Sequence, residues 1–427
     1  MGWMDMAETV IIARETKNVS GTVHIGGAKN SALKLIAASL LGQGKSVIHN
    51  VPHISDIEIM NAVLRSLGAT VEWDDHSLII DATNAEGHET PYELVSKMRA
   101  SISVLGPLLG RFGCAKVAMP GGCNIGARKI DMHLKVLQAM GVEFANEHGY
   151  LYASTPNGLH AADVLLEFPS VGATENMLMA AVAVEGTSII DNAAREPEIV
   201  DLANMLNAMG AQVEGAGSPT ITVKGVPLSE FHPCEHTVVG DRIEAGTYLT
   251  AGALLGGPVT AEGIDPSFLR IALMKLEQMG CTVVSTENSI TVSREHPLQA
   301  VDIQTLPHPG FPTDLQAQFM LLAALAEGNS VISENIFENR FMFASELNRM
   351  GSDITVEGHH ALIQGVKRLQ GAPVSSPDLR GGAALVIAGL AAEGETVIHD
   401  IHHIDRGYED YVGKLHALGA QIERTTR

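Results

Sequence analysis

Apolar positions along the chain follow two alternating registers, and the alternation returns six times. In one register Leu269, Leu273, Leu276 and Met279 form a single stripe at helical spacing, and Gly280 follows where a left-handed C′ residue ends a helix. Thr282–Ser285 and Ser289–Ser293 then read as two strands around a turn at Glu287-Asn288. The underlying pattern, Leu-x-x-(Leu/Met)-Gly before a β-type run, has its glycines at Gly68, Gly141, Gly210, Gly280, Gly351 and Gly419. In the other register Gly44, Gly186, Gly256, Gly328 and Gly394 each end a helix and open a strand, with an irregular second copy at Gly113. The helices before these glycines, such as Glu175–Val184 and Leu315–Ala326, are apolar nearly all round, which predicts burial on every side. Each repeat is thus one buried helix, one amphipathic helix and a few strands. Six such repeats predict an α/β chain that splits three plus three, with the boundary near residues 225–240. A solenoid fits less well, because solenoid units are shorter and bury one helix face.

Composition supports two domains: 427 residues exceed what one ordinary core encloses. The formal charge of -21 excludes a broad phosphate-binding face, and 18 aromatic residues are too few for a base-stacking surface, so nucleic acid is not an expected partner. An anionic ligand would need the 28 lysines and arginines concentrated locally. The start MGWMDMAETV has no apolar run and does not read as a signal peptide, and no stretch reaches the ~20 apolar residues of a membrane span, so a cytoplasmic setting is expected. Cys114, Cys123, Cys234 and Cys281 show neither zinc-ligand spacing nor a disulfide framework, and the eighteen histidines show no ligand spacing.

The polar residues cluster at helix starts. Lys29-Asn30, Arg99, Ser170-Val171-Gly172, Asp241-Arg242, Asp314 and Asp378-Leu379-Arg380 precede or open the buried helices. Cys123 with Arg128, Glu196, Arg340 and Arg406 precede the amphipathic ones. If the repeats are oriented alike, this set faces one cleft between the domains, where helix N-termini favour anions. Ordinary capping explains Asp314, Asp378 and Ser170 equally well. It does not explain lysine and arginine there, which oppose the helix dipole unless an anion compensates. The loop Pro120–Gly126 places glycines on both sides of Cys123, and Lys116, Arg128 and Lys129 would stabilise a thiolate. An isolated cysteine is more often structural, so both readings of Cys123 stay open on the residues alone. Cys114, Cys234 and Cys281 sit in apolar or helix-ending surroundings and read as inert.

Several segments resemble the UDP-N-acetylglucosamine enolpyruvyl transferases. They are Gly26–Ala32 with Lys29-Asn30, Met98–Leu109 with Arg99, Pro120–Arg128, Phe311–Gln318, Glu338–Met342, Asp378–Arg380 and His403–Glu409, and the match runs in unbroken order from about residue 8 to residue 425. The resemblance implies two inside-out α/β domains of three repeats each. These are 29–238, carrying the cysteine loop 120–128, and 239–427, completed by the N-terminal segment 8–28. It implies transfer of the enolpyruvyl group of phosphoenolpyruvate to the 3′-hydroxyl of UDP-N-acetylglucosamine with release of phosphate, the first committed step of peptidoglycan synthesis. No metal or organic cofactor is expected. By the resemblance, Lys29, Arg128 and Arg406 meet the charges of phosphoenolpyruvate, with Arg340 and Arg380 in support. Asp314 is the base for the sugar hydroxyl. Cys123 donates the proton to the methylene carbon, forms an adduct with phosphoenolpyruvate and is alkylated by fosfomycin. Asn30, Arg99, Arg128, Lys129, Ile130, Asp131, Met132, Ser170, Val171, Gly172, Asp314 and Ile336 are the matching nucleotide-sugar positions, and Asp378 joins the substrate-binding set.

Two residues depart from the family pattern: Lys34 and Lys129 each stand where a proline is common. Three rival readings are weaker. The sister transferase acting on shikimate 3-phosphate usually begins with glycine-aspartate-lysine-serine, where this chain has Gly27-Ala-Lys-Asn, and it lacks the cysteine loop. A non-catalytic nucleotide-sugar-binding paralogue would not need both the acid and the base. RNA-end processing conflicts with the net charge.

Overall fold

The computed structural model describes residues 8–95, 98–119 and 130–427. Among them the chain forms two compact units: one joins the N-terminal segment as far as Gly26 to Gly240–Arg427, and the other runs from Gly27 to Val239. Each has its own continuous apolar core.

Six sheets are present among the described residues, five of four strands and one of three, so each repeat owns one sheet. Their construction is shared. The strand after a buried helix pairs antiparallel with the second arm of a hairpin and parallel with an edge strand. In the first repeat Lys45–His49 places Val47 opposite Ile79 on one side and opposite Glu235 on the other. The three-stranded sheet belongs to Cys114–Ala118, where the parallel edge shrinks to one bridge between Glu89 and Lys116. This is the repeat whose sequence is irregular at Gly113. In the sixth repeat the missing hairpin arm is supplied by Thr9–Arg14, which lies between Glu395–His399 and Ile422–Thr426, with Ile11 opposite both Ile398 and Arg424.

The helices that are apolar all round are buried all round: every residue of Arg242–Leu255 is buried. That helix, Gln316–Ala324 and Leu379–Ala391 pack against one another. A Cβ on Gly246 would fall 2.7 Å from a Leu315 methyl, so the close approach requires glycine. In the other unit Leu105–Phe112 packs on Val171–Ala181, and Lys29–Ala38 lies against Pro197–Ala208. The striped helices show one face only, as Arg270–Gln278 does in burying Ala272, Leu273 and Leu276. Each leucine so buried contributes about 1.5–3 kcal/mol. The six repeat glycines all take φ between +92° and +107°, which ends each striped helix and turns the chain into the strand that follows.

The carbonyls left over where two buried helices end are satisfied by arginines. Arg294 donates to Ala253 at 2.7 Å, Leu254 at 2.8 Å and His296 at 2.9 Å. Arg111 donates to Leu40 and Ala82. Among the described residues no helix is long and apolar enough to cross a membrane.

Candidate active site

In the unit that contains Gly240–Arg427, Asp314 sits in the turn Thr313–Leu315 that leads into Gln316–Ala324. It does not cap that helix. Its Oδ1 accepts from Arg340 at 2.7 Å and its Oδ2 from Arg380 at 3.3 Å. Both arginine side chains are 4% exposed, while Asp314 keeps 26% of its side chain accessible. Burial alone would raise the Asp314 carboxyl, but Arg380, Arg340 and Arg242 together hold it well below the usual aspartate range. Arg380 opens Leu379–Ala391, where a cation opposes the helix dipole, so Asp314 supplies the compensating anion. The Arg380 guanidinium also lies over the Tyr408 ring, 5.4 Å from its centre. Its buried Nη1 has no hydrogen-bond partner among the described residues.

Asp378 and Asp241 are caps: Asp378 accepts from the backbone of Arg380 and Gly381, and Asp241 from that of Ile243 and Glu244. Arg406 lies between the Ile401–His403 turn and the Tyr411–Ala417 helix. Burial, with the charges of His402 and Arg406, holds the His403 imidazole below its ordinary range. Ile336 follows the strand Asn329–Ser333, and next to it the Phe337 ring lies against the Arg340 guanidinium at 5.5 Å.

In the Gly27–Val239 unit Lys29 opens Lys29–Ala38, and its Nζ lies 2.7 Å from the buried Asp56 carboxylate. Exposed Asn30 follows it, and the Lys34 Nζ reaches the Asn30 carbonyl at 3.5 Å. Lys34 itself pairs with Glu175 at 3.0 Å inside the unit. Burial pushes the Glu175 carboxyl up to about 7, although Lys34 opposes the shift. Ser31 bonds to Asp201, whose other oxygen meets the His236 Nε2 at 2.7 Å.

The remaining described nucleotide-sugar positions of this unit lie on elements that Asn176 ties together. Ser170 caps the helix Val171–Ala181, while Ile130, Asp131 and Met132 open Asp131–Ala139. Asn176 meets His133 at 2.8 Å and accepts from the Gly106 backbone at 2.8 Å, beyond the turn Arg99–Val104. A Cβ on Gly172 would fall 2.5 Å from the His133 ring, so glycine lets the two segments close. The side chain of Arg99, and Cys123, Arg128 and Lys129 entirely, lie outside the described residues.

Sequence reasoning missed Asp56, Glu175, Asn176 and Asp201, which act only through partners distant in sequence. Glu175 and Asn176 left a trace, two polar residues in succession opening an apolar run of one helix. Lys116, read as a neighbour of the reactive thiol, directs its ammonium to Glu89 at 2.6 Å. Burial pushes the Cys234 and Cys281 thiols up to about 11, consistent with inert cysteines.

The family model described as EPSP synthase (3-phosphoshikimate 1-carboxyvinyltransferase) matches residues 13–415. The solved enolpyruvyl transferase NikO from Streptomyces tendae superposes with a TM-score of 0.89 at 27% identity, covering 99% of this chain and all of that one. An EPSP synthase from Acinetobacter baumannii shares the fold, with a TM-score of 0.72 at 18% identity over 98% of this chain and all of that one. The UDP-N-acetylglucosamine 1-carboxyvinyltransferase of Mycobacterium bovis is 50% identical over 419 residues, which are 98% of this chain and 99% of that enzyme. Fold and sequence together therefore define an enolpyruvyl transferase, and the chain belongs to the UDP-N-acetylglucosamine 1-carboxyvinyltransferase family.

Proposed function

We propose that this chain transfers the enolpyruvyl group of phosphoenolpyruvate to the 3′-hydroxyl of UDP-N-acetylglucosamine, releasing phosphate, in the cytoplasm. The observation that carries the reading is the 50% identity over 419 residues to enzymes that bear this activity in their name. The reaction is addition followed by elimination. A proton adds to the methylene carbon while the sugar hydroxyl attacks the adjacent carbon and gives up its own proton. The tetrahedral intermediate then loses phosphate, and a proton leaves the new methyl group to restore the double bond.

Asp314 is assigned the hydroxyl proton. With both its oxygens held by guanidinium groups it is a poor base. An anionic substrate drawn to Arg340 and Arg380 relieves that hold, because each guanidinium then shares its charge with phosphate or carboxylate. The Asp314 carboxylate becomes more basic when the substrate is present. The unpartnered Nη1 of Arg380 supports this exchange of partners. Lys29 and Arg406 are assigned to phosphoenolpyruvate, as in the family, and Cys123 to protonation of the methylene carbon. Asn30, Arg99, Arg128 to Met132, Ser170 to Gly172, Asp314 and Ile336 are assigned to the nucleotide sugar, as in the family.

The test is phosphate release from phosphoenolpyruvate with each of two acceptors. Release with UDP-N-acetylglucosamine and none with shikimate 3-phosphate is expected; the reverse would overturn the reading.

A further inference from the structure

Glu334 is a buried carboxyl group that the reaction does not use. It follows the strand Asn329–Ser333 and is 1% exposed. One of its oxygens accepts from the Ile336 backbone N–H at 2.8 Å, the Phe337 N–H at 3.2 Å and the Thr305 hydroxyl at 2.9 Å. The other accepts from the Thr313 hydroxyl at 2.9 Å. Acceptance on every side is what a carboxylate offers and an amide or hydroxyl does not. Thr313 is the residue before Asp314, in the same turn. Ile336 and Phe337 belong to the loop whose ring lies against Arg340, and Arg340 in turn bonds Asp314. The contacts close a circuit from Glu334 through Thr313, Asp314, Arg340 and Phe337 back to Glu334. Thr305 braces it from a third segment, accepting from the Asn335 N–H at 2.9 Å as well.

We propose that Glu334 is a positioning residue that fixes the Asp314 carboxylate relative to the Ile336–Phe337 backbone. The proposal rests on the assignment of Asp314 as base and of Ile336 to the nucleotide sugar. The base and the backbone that holds the acceptor, Asp314 and Ile336, are 22 positions apart in sequence, and Glu334 is bonded to both of their segments. If it sets their separation, the acceptor hydroxyl arrives within reach of the base. Arg340 belongs to the circuit, but Lys29 and Arg406, the cations assigned to phosphoenolpyruvate, do not, so its KM should respond less than that of the nucleotide sugar.

Two variants test this. Glu334→Gln keeps the shape and one carbonyl oxygen for the two backbone N–H groups but turns a donor toward Thr313. Thr313→Val removes the partner hydroxyl on the Asp314 turn and leaves Glu334 intact. Each is expected to lower kcat by about 10-fold to 100-fold, the cost of a small misplacement of reacting groups. The KM for UDP-N-acetylglucosamine should rise severalfold in Glu334→Gln, and the KM for phosphoenolpyruvate should stay within about twofold in both. The double variant should be no slower than the worse single one, since both break the same bond. Far-ultraviolet circular dichroism checks folding. Parental kinetics in both single variants, additive losses, or a matching rise in the phosphoenolpyruvate KM would overturn the proposal. Asp314→Asn, assayed alongside, separates the two claims. If it turns over like the parent enzyme, the assigned base is wrong. If it is inactive while the two single variants are not impaired, the positioning role alone fails.

Discussion

Asp314 carries two opposed demands: it stabilises a pair of buried guanidinium groups, and it is assigned a proton during turnover. Replacing it by asparagine removes the anion and leaves Arg340 and Arg380 buried beside a neutral group. Breaking such a set costs about 3–5 kcal/mol, and losing a general base costs about 100-fold to 10,000-fold in rate. Asp314→Asn is therefore expected to be both less stable and nearly inactive, as urea unfolding and phosphate release would report. The sign of its pH dependence follows from the lowered carboxyl. Its contribution to stability is present above the unfolded aspartate value of about 3.9 and is lost as pH falls through the lower folded value. The stability gap between parent and variant should close in acid. Glu175 has the opposite sign. With its carboxyl raised to about 7, its contribution is full below the unfolded glutamate value and is lost as pH rises through 7. Glu175→Gln should remove about one proton from the pH dependence of unfolding between roughly pH 4.3 and 7, measured by urea titrations across that range. The sequence marked Lys34 as a departure from the family, but nothing in it marked Glu175 as the partner, because 141 positions separate them.

At the scale of elements the sequence was most informative where a residue does one local job. Gly280 was legible as a helix stop because only glycine takes φ of +93° freely, and Thr282–Ser285 with Ser289–Ser293 appear as the strands their alternation predicts. Helix starts were harder. Ser170, Asp378 and Asp314 look alike in sequence, yet the first two cap backbone N–H groups and the third does not. The difference lies in Arg340 and Arg380, which reach Asp314 from segments 26 and 66 positions away. Glu334 was invisible for the same reason, its hydroxyl partners coming from two other segments. Helix ends show the converse, a local need met from far off: Arg294 satisfies two carbonyls at the end of Arg242–Leu255, those of Ala253 and Leu254, from 41 and 40 positions onward. Arg294→Met keeps much of the aliphatic bulk and removes those donors. It is expected to destabilise the chain by about 1–3 kcal/mol, seen as a lower melting temperature, while kcat stays unchanged.

For the whole molecule, the six-fold repeat fixed the fold class, since one supersecondary unit with one sheet recurs along the chain. What the repeat pattern does not contain is the exchange of strands between distant segments. Thr9–Arg14 fills the sixth sheet and Gly21–His24 provides the parallel edge of the fourth. Deleting residues 8–14 would leave Glu395–His399 and Ile422–Thr426 without the strand that joins them. Limited proteolysis of that truncated chain should cut first within Gly240–Arg427, with Gly27–Val239 surviving longer.

The placement of Thr9–Arg14 also orders events during synthesis. Arg14 leaves the ribosome 381 positions ahead of Glu395, where the nearer partner strand begins, and the other partner follows later still. At about 5–20 residues per second the strand waits roughly 20–80 seconds before either neighbour exists, and through that interval it is a bare β-edge with an unbroken aliphatic run, Val10–Ala13, between Thr9 and Arg14. Gly27–Val239 draws its sheets from its own sequence and can be complete while the other unit is still being made. The birth order of the two units is thus written into the topology, with Thr9–Arg14 made long before its partners and seated only after both exist.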